Sequence, residues 1–187
     1  MRTYLGVIAG PFYLIVSVAQ GVLREGFDFS RHPWSALANG PNGWIQTANL
    51  ILTGLMVAGF AGSLDGWTRR LIGAYGVSLV GAGVLRADPV PGFPPGTTGA
   101  TVSWHGMLHL AVGGIGFLCL VAACLVVGRR SAGGFRAFSY LTGVVFLAGF
   151  AGIASGSTAL VVPFTVAVVL VWAWLSTLAL RRVTREG

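Results

Sequence analysis

Two of the three histidines of this 187-residue chain stand four residues apart in SWHGMLH (103–109), where the longest apolar run, Trp104 to Gly128, begins. At i and i+4 on a helix, His105 and His109 lie on one face, about 6 Å apart along the axis. Two imidazoles so spaced can share one metal ion. Zinc would need a third ligand, and His32 is the only other histidine. Three neutral imidazoles and a water form a hydrolytic zinc centre, with a carboxylate beside it as base. Asp88 is the catalytic candidate for that role, and Asp28 the second. The alternative is that both rings hydrogen-bond to loop carbonyls. Haem is disfavoured, because two histidines on one helix cannot reach opposite faces of a porphyrin.

A second group of residues suits binding rather than catalysis. Arg86 and Asp88 follow an apolar run, at a depth where charge is costly unless paired. They read either as an Arg–carboxylate clamp on the loop or as a receiver for an anionic headgroup, which a guanidinium fork fits. Arg24 and Arg31 share the second possibility. Gln20, Gln46 and Asn49 are amides inside apolar runs, expected to bond a neighbouring helix or to line a polar cavity. The ligand-binding set is therefore Arg86, Asp88, His105, His109, Trp34 and Gln46.

What must position these side chains is a membrane bundle. The chain is 55% hydrophobic and 9% charged, with a mean hydropathy of +0.79, against roughly a quarter charged in soluble domains. Six runs approach the ~20 residues that cross a bilayer: Tyr4 to Leu23, Trp44 to Leu64, Leu71 to Ala87, Trp104 to Gly128, Phe138 to Ser155 and Leu160 to Leu180. The expected fold is all-α: a single six-helix membrane domain over 1–187. The first run is too long for a signal peptide and has no small-x-small site after it.

All twelve basic residues are arginine. Arg2, Arg69, Arg70, Arg129, Arg130, Arg136, Arg181, Arg182 and Arg185 fall at the termini and in the second and fourth loops. Only Arg24, Arg31 and Arg86 fall near the first and third. The positive-inside rule then places both termini in the cytoplasm. The net charge of +7 is a topology signal, and with no basic polar face a nucleic-acid partner is excluded.

The chemistry gathers in two outer loops, REGFDFSRHPWSALANGPNG (24–43) and RADPVPGFPPGTTGATVS (86–103). Four prolines predict a semi-rigid, extended second loop. In the first loop, Pro33 to Ala38 reads as a short helix stopped by Asn39-Gly40. Its Trp34, with Phe29, is expected in the membrane interface beside Trp44 and Trp104. Loops 24–43 and 88–103 together form a lid.

Glycine stripes inside the runs predict close helix packing. LTGLMVAGFAG (52–62) and LTGVVFLAGFAG (141–152) suggest a three-plus-three inverted repeat. Cys119 and Cys124, five apart on one helix, are expected to be small packing residues.

RHPWSALANGPNGWIQ (31–46), GAGVLRADPVPGFPPGT (81–97) and SWHGMLH, in that order, resemble the bacterial membrane family catalogued as domain of unknown function 998. The resemblance spans essentially the whole chain. It implies a six-helix integral membrane protein whose shared residues lie in the outer loops, and it implies no reaction. A looser likeness is to membrane hydrolases that gather a histidine, an Asp and an HxxxH pair around zinc, though those have seven spans and another motif order.

Three functions fit. The first is a binder of a membrane lipid headgroup or other small amphiphile, acting as carrier, sensor or accessory subunit. The second is a zinc-dependent hydrolase at the outer leaflet. The third is a scaffold or assembly partner of another membrane protein.

Overall fold

The computed structural model describes residues 1–99 and 102–186, so positions 100 and 101 of the second loop, and 187, lie outside it. It is all-helical, with no strands among the described residues. The helices are α1 (Arg2–Leu23), α2 (Gly43–Ala61), α3 (Gly66–Val84), α4 (Trp104–Arg130), α5 (Gly133–Ala154) and α6 (Val161–Glu186). All but α3 are long and apolar enough to cross a membrane. The chain is a membrane helical bundle.

Each helix packs on the next in chain order and α6 closes on α1, so the six form a ring. The joint between α2 and α3 depends on glycine. A Cβ on Gly76 would lie 2.6 Å from the Ala58 backbone nitrogen, and one on Gly54 would lie 2.6 Å from the Gly76 oxygen. Backbones that close leave no room for any side chain. Closure between α1 and α6 uses a different device. Pro11, inside α1, cannot donate to the carbonyl four residues back. That carbonyl, Val7 O, instead accepts the Ser176 hydroxyl of α6 at 3.3 Å.

Between α1 and α2 runs a buried polar seam. Ser17 donates to Gln46 Oε1 at 3.1 Å, and Asn49 Nδ2 donates to Ser17 Oγ at 3.0 Å and to Tyr13 O at 3.1 Å. Such amides in an apolar bundle fix which helix faces meet, because each lost partner leaves a desolvated polar group.

Three sequence expectations are corrected. α3 begins at Gly66 and ends at Val84 rather than running to Ala87, so Arg86 is outside any helix. The second loop is not extended: Val90 and Phe93 pair across a tight turn, and Phe93 is fully buried. Trp34 does not face the interface; it is 3% exposed, whereas Trp44 and Trp104 are each 68% exposed. The two LTG strings share a burial pattern, with Thr53, Thr142, Gly54 and Gly143 all buried. However, Gly54 meets α3, and Gly143 meets Cys124 of α4. A three-plus-three repeat pairs α3 with α6, so this contact does not follow it. Cys124 is thus a packing residue beneath Gly143, and both cysteines are free.

Candidate functional site

At the end of the ring opposite the paired arginines, the two long loops fold onto each other. Ala36, Leu37 and Phe93 form a small core of their own, flanked by Phe27 and Val90. Ala36 and Leu37 come from a short 3-10 helix, Trp34–Ala38. Arg24, just past the end of α1, donates to Asn39 O at 2.6 Å and lies 5.1 Å over the Phe93 ring. A cation at the carbonyl end of the short helix satisfies acceptors the helix leaves open. Gln20 reinforces the same end by donating to Asn42 O at 2.8 Å.

His32 belongs to this lid. It is 3% exposed, set 5.6 Å from Phe27 and 5.7 Å from Phe93 between ring centroids. The Asp28 amide donates to its Nδ1 at 3.1 Å, so Nδ1 carries the lone pair. Burial pushes the pKa of His32 down, against the opposing pull of the Pro91 backbone and Asp28.

His105 and His109 turn the same way, toward the end of α3. His105 Nδ1 is 3.2 Å from Arg86 O and 3.0 Å from Ser103 Oγ. His109 Nδ1 is 2.9 Å from Ala82 O and 2.7 Å from Leu85 O. Both acceptors are carbonyls at the end of α3, so Nδ1 carries the proton and His109 caps the neighbouring helix. The pair therefore spends its Nδ1 atoms on loop and helix-end carbonyls.

Asp88 is occupied by the start of α4. It accepts the Ser103 amide at 2.8 Å and the Ser103 hydroxyl at 2.5 Å, while Ser103 Oγ accepts the Gly106 amide at 3.1 Å. Ser103 is thus an N-cap that Asp88 holds in place. These two donors keep the Asp88 carboxyl below the usual carboxylate range. The expected Arg86–Asp88 clamp is replaced by an Asp88–Ser103 clamp, and the Arg86 side chain is exposed. Asp88→Ala strands both Ser103 donors. It is expected to lower stability by about 1–3 kcal/mol, read as a drop in Tm of the detergent-solubilised protein.

The residues proposed as a single site are therefore divided. His32 sits among the lid aromatics, and His105 with Asp88 sits at the α4 cap. Among the described residues, no three of His, Cys, Asp and Glu gather as a metal-holding group. Gln46 is fully buried in the α1–α2 seam.

Only His109 and Trp34 reach the feature that sequence reasoning missed, a central cavity of about 380 Å³ lined by residues of all six helices. Its walls are aromatic. Tyr13 lies 4.9 Å from Trp172, and Phe117 packs edge-on against Phe146 at 5.0 Å. Trp34 roofs it, stacked 5.8 Å from Tyr13 and donating to Thr165 Oγ1 of α6 at 3.1 Å. No Asp, Glu or Arg lines it. A signal existed in the aromatic content of α5 and α6, but aromatic stripes read equally as core.

No curated protein and no solved structure matches the chain. A family model does match, covering residues 7–181, and the chain belongs to that family, described as protein of unknown function (DUF998).

Proposed function

We propose that this protein is a six-span inner-membrane bundle that binds a small amphiphile in its central cavity, beneath a lid on the non-cytoplasmic side. The cavity carries the reading: it is roofed, aromatic, and built by every helix of the ring. About 380 Å³ lies toward the lower end of the volumes typical of small-molecule sites, roughly 300–1,000 Å³.

The six-span count rests on α3, whose 19 residues extend about 28 Å, the thickness of a hydrocarbon core. Packing against α2 and α4 shields its less apolar face. The arginine asymmetry supports cytoplasmic termini, with Arg182 reaching Asp65 at 2.6 Å across that end. A carrier, sensor or accessory subunit would each use such a cavity.

Gly113 offers a clean test. It lines the cavity, and a Cβ there would meet nothing within 4 Å. Gly113→Leu therefore puts bulk on the cavity wall with no clash at its first side-chain atom, and the helix gains somewhat less than about 1 kcal/mol in propensity. Solvent extraction and mass spectrometry of wild-type protein are expected to yield a lipophilic compound that folded Gly113→Leu lacks. Equal amounts of the same compounds in both proteins would sink the reading.

A further inference from the structure

We infer that the ligand is an uncharged membrane lipid bearing a hydroxyl, which donates to His109 Nε2 after passing sideways between α4 and α5. This deepens the proposed function and rests on it.

The hydroxyl follows from the two ends of one ring. Nδ1 of His109 is committed, as a donor, to Ala82 O and Leu85 O. That leaves Nε2 of the neutral ring as an acceptor, and it has no partner among the described residues although the ring lines the cavity. A free acceptor in an apolar chamber asks for an O–H. Tyr75, on the same face of α3 two turns deeper, also lines the cavity, and its hydroxyl too is without a partner among the described residues.

Neutrality follows from the lining. With no cationic or acidic side chain present, a buried phosphate or ammonium would be an unpaired charge in an apolar site, a cost no hydrogen bond to an imidazole offsets.

The route follows from where the wall is thin. The lid seals one end: Trp34 is 3% exposed. Between the lid-side halves of α4 and α5, by contrast, cavity-lining residues also reach the outer surface. Leu110 is 73% exposed and Ala154 is exposed. Below them, Phe117 and Phe150 meet edge-on at 5.2 Å as a sill. In a membrane bundle this side faces lipid, so the ligand is one already dissolved in the bilayer.

The test uses three probes on full-length protein in detergent: farnesol, its methyl ether and farnesyl phosphate, with binding read by isotope-labelled probe retention. Wild type is expected to bind farnesol saturably and the ether about tenfold more weakly, the worth of one hydrogen bond. His109→Phe should bind alcohol and ether alike. Because His109→Phe also uncaps α3, the alcohol-to-ether ratio on wild type is decisive without it. Equal binding of alcohol and ether by wild type, lost in Gly113→Leu, would overturn the hydroxyl assignment and leave the cavity reading standing. Tighter binding of the phosphate would overturn neutrality. No binding of any probe by wild type would overturn both this inference and the cavity reading.

Discussion

Gly76→Val is expected to leave no monodisperse folded protein after solubilisation. The first side-chain atom would already stand 2.6 Å from a backbone nitrogen of α2 and 2.8 Å from the Gly54 carbonyl. Neither can swing aside as a side-chain end could, so the two helices must separate along their whole joint. Overpacking ordinarily costs about 1–3 kcal/mol, and more where backbone must move. Separation here also opens the ring on both sides of α3, displacing the Ala82 and Leu85 carbonyls from His109. Gly73→Ala is the control on the same helix. Its Cβ would sit 3.6 Å from Ala61, an ordinary contact, and the change should be neutral or stabilise by up to about 1 kcal/mol. Size-exclusion profiles and Tm of the two variants check both expectations. Similar behaviour of Gly76→Val and wild type would mean that the joint is not as drawn.

The contrast between those glycines marks what was legible. Hydropathy found all six long helices, though it set the start of α3 five residues late, and Asn39-Gly40 located the end of the short helix. Ser103 was readable only as the last residue of a loop; its capping role needs Asp88, fifteen residues earlier. Trp34 was misplaced because aromatic residues near a membrane surface usually stay there. What turns it inward is Thr165 on α6 and Tyr13 on α1, and no local pattern encodes partners so far away in sequence. The same holds for the histidines. The i, i+4 spacing put His105 and His109 on one face, but the spacing could not say that both Nδ1 atoms would meet carbonyls at or just past the end of α3. Nor could it say that only His109 would line a chamber. The cavity itself is a property of the closed ring, and ring closure between α1 and α6 leaves almost no trace in the chain.

Acidification is expected to loosen the lid before anything else, through His32. Its folded pKa lies below the unfolded value of about 6.5, burial being the chief cause. The sign follows: the stability tied to neutral His32 is fully present above about pH 6.5 and is lost as pH falls through the lower folded value. A proton on Nδ1 would also face the Asp28 amide donor, turning that 3.1 Å bond into a clash of two donors. The Pro91 backbone and the Asp28 carboxylate, which also accepts the Ser30 hydroxyl and amide, favour the proton, but burial outweighs them and Arg31 adds to the opposition. Asp88 behaves oppositely in range. Its pKa lies below the carboxylate norm, so the α4 clamp holds at pH 5 while the lid weakens. Amide hydrogen exchange at Val90, Phe93 and Ala36, compared between wild type and His32→Phe at each pH, removes the intrinsic pH dependence of exchange. The wild-type-to-variant ratio of exchange rates should be flat above about pH 6.5 and rise as pH drops below it. Parallel curves would assign the lid's acid response to another group, and the roof over the cavity would then be held independently of His32.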